Sequence, residues 1–242
     1  MSGHSKWANI HRKKEKSDAK RGKIFTKLGR ELAIAVREGG PNPDTNSKLK
    51  DVIAKARAAN MSNDNIMRSI KKASGEAESI AYDEVLYEGY GPSGIAFMVE
   101  AMTDNRNRTA AEIRHIFDRS GGQMSQSGSV AWMFERKGVL IVERTNDLDE
   151  DTVMMAALEA GAEDMQSEED VFEIQTVLPA FADVRAALEA KGMNILSAEL
   201  EWIPQSRVDV DEETSEKLEK LIDRLEDSDD VQSIYHNANI DA

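Results

Sequence analysis

The residues best suited to chemistry stand at the start of the chain, in Gly3-His4-Ser5-Lys6-Trp7-Ala8-Asn9-Ile10-His11-Arg12-Lys13-Lys14, continued by Lys16, Lys20, Arg21, Lys23, Lys27 and Arg30. The chemistry they suit is binding of a phosphate polymer. Closely spaced ammonium and guanidinium groups neutralise phosphates and release condensed counterions, and the rings of His4, Trp7 and His11 offer faces on which an unpaired base stacks, worth about 1–3 kcal/mol each. The same charges also allow a solvated basic tail that touches acidic parts of the chain. A second cationic group, Arg106 and Arg108 in Asp104-Asn105-Arg106-Asn107-Arg108-Thr109, precedes a predicted helix whose N-terminal amides favour an anion. Turn-making and capping by Asp104, Asn107 and Thr109, with the arginines paired to carboxylates, is the alternative at that place.

Other chemistries find little to work with. There is no cysteine, which removes thiolate nucleophiles, disulfides and Cys-based zinc sites. The four histidines, at 4, 11, 115 and 236, are scattered without metal-ligand spacing, and no serine has a nucleophile-elbow context. Asp149-Glu150-Asp151, Glu168-Glu169-Asp170 and Asp211-Glu212-Glu213 lack the alternation of a calcium loop and fall at helix starts or turns, where solvated acids complement the helix dipole. Gly89-Tyr90-Gly91-Pro92-Ser93-Gly94 matches the dinucleotide fingerprint in letters, but its flanks read as two strands, which predicts a hairpin turn. We therefore expect no catalytic residues, cofactor, metal or small-molecule substrate.

Charge is distributed very unevenly. The 242 residues carry a formal net charge of −14. Met1–Lys72 holds 18 Lys/Arg against 7 Asp/Glu, or plus 11, whereas Ala73–Ala242 holds 13 against 38, or minus 25. Such asymmetry points to a polyanion-binding segment on a body kept dispersed by self-repulsion. No apolar run approaches the roughly 20 residues of a membrane-spanning helix. The Lys-dominated N-terminus lacks a secretory apolar core and continues directly into a helix with its own buried face, so a transit peptide is disfavoured and a cytoplasmic location expected.

The elements that must position these groups follow from periodicity. Residues up to Gly22 are too polar to order themselves. Ile24, Phe25, Leu28, Leu32, Ala35 and Val36 then make one face of a helix ending at Gly39-Gly40-Pro41. A second helix after Asn46 turns Leu49, Val52, Ile53 and Ala56 inward, and a third after Ser62 presents Ile66, Met67 and Ile70 to the same core. Strands are predicted at 82–90, 95–102 and 129–134, with Thr109-Ala110-Ala111-Glu112 as a capping box opening a helix to Phe117 and 121–129 as a connecting loop. From Val139 to Ile203 the order reads βαββαβ, the ferredoxin-like arrangement. The tail, 208–235, offers a strand, a helix with Leu218, Leu221, Ile222 and Leu225 inward, and a last strand. It is too small to fold alone, and we expect it to complete the three-stranded sheet of the middle segment.

The stretches Gly3–Ile10, Asp18–Phe25, Tyr87–Pro92, Thr103–Ala110 and Gly128–Phe134 together resemble the YebC family, whose mitochondrial members include a translational activator of cytochrome oxidase. The likeness runs nearly end to end. Asn46-Ser47-Lys48-Leu49 departs from the usual Asn-Pro-Arg-Leu, and Gln123–Ser127 from a loop of shorter side chains. The resemblance implies a helical N-terminal domain and two α/β domains around a cleft. The expected fold is α+β: a basic arm (1–22), a helical domain (23–78), a discontinuous middle domain (79–135 plus 206–242) and an inserted ferredoxin-like domain (136–205). It also implies a DNA-binding transcriptional regulator or, alternatively, a ribosome-associated translation factor that binds RNA and relieves stalling at proline-rich stretches. The arm and first helix would grip phosphates while Arg106 and Arg108 give a second contact across the cleft.

Overall fold

The computed structural model of the protein describes residues 17–75, 80–145 and 147–240. Two compact units are present, one of residues 17–131 with 210–237 and one of 132–209 with 238–240. The α+β class expected from the sequence is the class observed.

The first unit opens with helices α1 (Ser17–Gly39), α2 (Ser47–Ala58) and α3 (Asn63–Ser74). Their core contains Leu28, Leu32, Ala35, Leu49, Ile53, Ala56 and Ile66, all fully or nearly fully buried. Each junction is closed by hydrogen bonds that satisfy the orphaned helix ends. Gly40, at φ +82°, returns its N–H to the Val36 carbonyl. Asn46, buried, caps α2 by accepting from the Leu49 N–H and donates to the carbonyls of Ala35 and Gly40. One expectation is corrected: Met67 is 62% exposed, because Ile66 and Ile70 already fill the strip of α3 that faces the core.

The rest of this unit is an antiparallel sheet in the order β3-β1-β2-β9, built from β1 (Asp83–Tyr90), β2 (Ala96–Thr103), β3 (Gln123–Ser125) and β9 (Val231–His236). The register runs from Asp83 opposite Thr103 to Tyr90 opposite Ala96, and Gly91–Gly94 makes the short turn between those strands. Strand β9 arrives from the tail and pairs with β2. Two helices pack on the sheet, α4 (Arg106–Arg119) and α7 (Glu212–Glu226), with Phe97 of β2 and Phe117 of α4 edge to face at 5.9 Å. Three local expectations are corrected. Helix α4 is capped by Asn105 rather than opened at Thr109, which sits in its first turn with its hydroxyl buried. Gln123–Ser125, read as loop, pairs with β1. Residues 129–134 are not a strand, since Ala131–Met133 form a 3-10 turn and the strand begins at Phe134.

The second unit holds β4 (Phe134–Glu143), α5 (Glu150–Glu159), β5 (Ala162–Ser167), β6 (Val171–Val177), α6 (Phe181–Ala190) and β7 (Ile195–Pro204), with strand order β5-β6-β4-β7, all antiparallel. That is the ferredoxin-like order. Leu140, Val142, Phe172 and Ile174 of the two central strands meet Val153, Ala157, Val184 and Leu188 of the helices. β8 (Val208–Asp209) and β10 (Ala238–Asn239) form a short parallel pair beside it. Gly138 lets α6 approach the sheet, since a Cβ there would collide with the Phe181 ring and come within 2.6 Å of Thr176 Oγ1. Gly138→Ala is expected to destabilise this unit by about 1–3 kcal/mol, read as a lowered urea midpoint, whereas Gly94→Ala would meet no atom but carry the strain of φ +75°.

Candidate nucleic-acid interface

Of the residues singled out as phosphate contacts, His4, Lys6, Trp7, His11, Arg12, Lys13, Lys14 and Lys16 lie outside the described residues, and Lys20 lies on α1. Arg21 is exposed near the start of that helix. The remaining five are brought together on the protein's own acidic and carbonyl groups.

Lys23, Lys27 and Arg30 follow one another at four- and three-residue spacing, so they line one side of α1. That side meets the end of α7 and the segment leading into β9. Lys23 Nζ donates to the Asp227 carbonyl and to its carboxylate, both at 2.9 Å, and Lys27 Nζ donates to the Glu226 carbonyl at 2.9 Å. These carbonyls stand at a helix C-terminus, the negative end of its dipole, so cations suit the place. Lys23 and Asp227 are both about half exposed, which limits their pair to roughly 0–1 kcal/mol. Arg30 is enclosed more deeply. It donates to the carbonyls of Met102 (2.8 Å) and Asp229 (2.7 Å) and to the Asp230 carboxylate, and its guanidinium lies 5.3 Å from the centre of the Tyr82 ring.

Asp230 is where three elements converge. Its side chain is 5% exposed. Besides Arg30 of α1, it accepts from Arg108 of α4 at 3.0 Å, from the Thr109 hydroxyl, and from Thr103 at the end of β2 at 3.3 Å. Burial alone would raise the Asp230 pKa, but the hydrogen bonds from Thr109, Arg108 and Arg30, with the charge of Arg30, hold it below the ordinary carboxylate value. Reciprocally, the hydrogen bonds that Arg108 donates to Asp230 and Asp104 raise its pKa. Arg106 bonds Asp83 through Nε at 2.9 Å and is exposed. Arg106 and Arg108 thus meet the paired alternative weighed above, and a phosphate approaching Arg30 or Arg108 would compete with Asp230.

A second carboxylate escaped the sequence reading. Glu88, on β1, is 3% exposed and accepts from the backbone N–H groups of Gly128 (2.6 Å), Val130 (2.7 Å) and Ala131 (2.9 Å). Burial pushes its pKa up, but those three amides and the Ser127 hydroxyl outweigh burial and leave the pKa lowered. The available signal was an acid at an inward position of an otherwise apolar strand end, Tyr87-Glu88-Gly89. For Asp230 there was only its place in an acidic run, Asp227-Ser228-Asp229-Asp230. Among the described residues no group of His, Asp and Glu is arranged to hold a metal ion, and no helix is long and apolar enough to cross a membrane.

Comparison with known proteins bears on the same segments. Residues 5–76 match the family model described as "TACO1/YebC protein N-terminal domain", and residues 82–238 match the one described as "TACO1/YebC second and third domain". A Clostridium tetani protein named "Probable transcriptional regulatory protein" is 59% identical, covering 98% of this chain and 97% of its own. A relative from Caldicellulosiruptor saccharolyticus with the same name is 58% identical, covering 98% of each chain. The crystal structure of a conserved hypothetical protein from Aquifex aeolicus superposes with a TM-score of 0.83 at 46% identity, covering 93% of both chains. Family models over both parts of the chain and relatives alike along nearly its whole length agree with the motifs at 3–10, 87–92 and 103–110: the chain belongs to the TACO1/YebC family.

Proposed function

We propose that this protein is a non-enzymatic, cytoplasmic regulator of gene expression that binds DNA through its basic N-terminal arm and helical module. The observation that carries this reading is the segregation of charge, plus 11 over Met1–Lys72 against minus 25 over the remainder, which suits a polyanionic partner. Relatives alike over nearly the full length bear the name "Probable transcriptional regulatory protein", which supports the same reading. The arm cations Lys6, Arg12, Lys13, Lys14 and Lys16 supply the nonspecific grip, with Trp7, His4 and His11 as stacking faces.

The test is a salt titration of duplex binding by the whole protein. Neutralising Lys13 and Lys14 together (Lys13→Gln, Lys14→Gln) should lower the slope of log affinity against log salt by about 0.9 for each phosphate that the arm no longer neutralises. An unchanged slope rejects those two residues as phosphate contacts. A ribosome-directed translation factor is the reading that takes over if the protein co-sediments with ribosomes under salt at which it leaves duplex DNA.

A further inference from the structure

Helices α2 and α3 are joined by a four-residue bend of defined geometry. Asn60 is left-handed at φ +61°, its N–H returns to the Arg57 carbonyl, and the Met61 N–H returns to the Ala56 carbonyl. This pair of bonds is a Schellman ending, with Met61 buried as its apolar anchor. Ser62 then caps α3 at once, its hydroxyl accepting from the Asn65 N–H. Two twelve-residue helices joined by so short a turn, with small Ala56 fully buried before it and Ile66 after it, match a helix-turn-helix unit in helix and turn length.

The outward side of α3 carries the residue types that such a unit needs. Asp64, Met67, Arg68 and Lys71 are exposed at i, i+3, i+4 and i+7, and with Pro41 and Ser74 they line a depression of about 530 Å³. The flanks of α2 differ in a telling way. Lys48 and Lys55 are bound by Glu38 and Glu31, whereas Lys50 and Arg57, on the other flank, have no carboxylate in ion-pair contact among the described residues, nor do Arg68 and Lys71. The Arg57 guanidinium donates to the neutral Asn63 side chain at 3.2 Å. Lys23, Lys27 and Arg30 of α1 are engaged by the protein itself, whereas Lys50, Arg57, Arg68 and Lys71 of α2 and α3 have no carboxylate against them among the described residues.

We propose that α2 and α3 form a helix-turn-helix in which α3 enters the major groove of duplex DNA. Met67, Arg68 and Lys71 face base edges, and Lys50 and Arg57 meet phosphates of the flanking backbone. Arg68 or Lys71 suits guanine O6 and N7, and exposed Met67 suits a thymine methyl. Asp64, the acid on this face, suits the amino group of cytosine. A helix of twelve residues, about 18 Å long, fits a groove about 12 Å wide. This inference rests on the DNA-binding reading above and narrows it to a reading helix.

Two measurements on the whole protein test it. In the first, Lys50→Gln combined with Arg57→Gln is titrated with salt against a random-sequence duplex and a single-stranded RNA of equal length, with the thermal midpoint as a folding control. The duplex slope should fall by up to about 1.8, with the RNA slope little changed. An unchanged duplex slope in a protein that binds duplex overturns the proposal. So does wild-type binding of the RNA alone, which leaves a broader nucleic-acid reading standing; binding of neither polymer overturns both. In the second, selection from a random duplex pool should yield a motif for the wild type, and Arg68→Ala should relax one base position about tenfold or more. Absence of any enriched motif overturns base reading by α3.

Discussion

Asp230→Ala is expected to destabilise the unit containing α1 and the β3-β1-β2-β9 sheet by about 3–5 kcal/mol. The carboxylate is 5% exposed and is shared by Arg30, Arg108, Thr109 and Thr103, so its removal leaves a guanidinium that is itself only 13% exposed without its counter-charge. The carbonyls of Met102 and Asp229 still accept from Arg30, but carbonyl dipoles replace only part of a full negative charge. Asp227→Ala is the internal control. It removes an exposed pair from the same junction and should cost no more than about 1 kcal/mol. Urea unfolding of the two variants beside the wild type measures both. Equal losses for the two would show that Asp230 is not the group holding α1 to the sheet.

Glu88→Gln should be the next most damaging change, at about 2–4 kcal/mol at pH 7. Hydrogen bonds to a charged acceptor contribute about 1.5–3 kcal/mol each, and Glu88 receives three from backbone amides, that of Val130 being fully buried. Glutamine retains one carbonyl oxygen but turns an NH2 group toward N–H donors. The same pair of proteins reports on pH. The folded-state pKa of Glu88 lies below its unfolded value, so its contribution is fully present above the unfolded value of about 4.3 and is lost as pH falls through the folded one. Asp230 has the same sign. Wild type should therefore lose stability on acidification below about pH 4, and the gap to Glu88→Gln should narrow over that window. A gap that widens toward acid would mean that burial, not the amide bonds, governs Glu88.

These two carboxylates do different work with one device, a buried anion satisfied by donors from distant segments. Glu88 pins the 127–131 backbone against β1, and Asp230 ties the helical module to the end of β2 and the start of α4. The acidic composition of the body is therefore not only solvated surface. Part of it is consumed in holding the basic α1, and this moves the search for free cations to the arm and to the outer side of α2 and α3.

What the sequence determined by itself was whatever short-range periodicity and local chemistry encode. The three helices came from apolar spacing, the β1–β2 turn from Gly91-Pro92-Ser93-Gly94, the βαββαβ order from the change of period, and the charge asymmetry from counting. Tertiary structure alone decided the partners of the cations. Arg30 finds Asp230 across 200 residues, and no local pattern relates positions so far apart. It also decided Met67, which fits the inward strip of α3 by spacing yet faces out because Ile66 and Ile70 complete the packing against α1 and α2, and Gln123–Ser125, too polar and short to read as a strand until the edge of β1 offers it hydrogen bonds. Periodicity states which side of an element is apolar. Which charge lies opposite, and how much of that side a neighbour covers, is settled only when the elements meet.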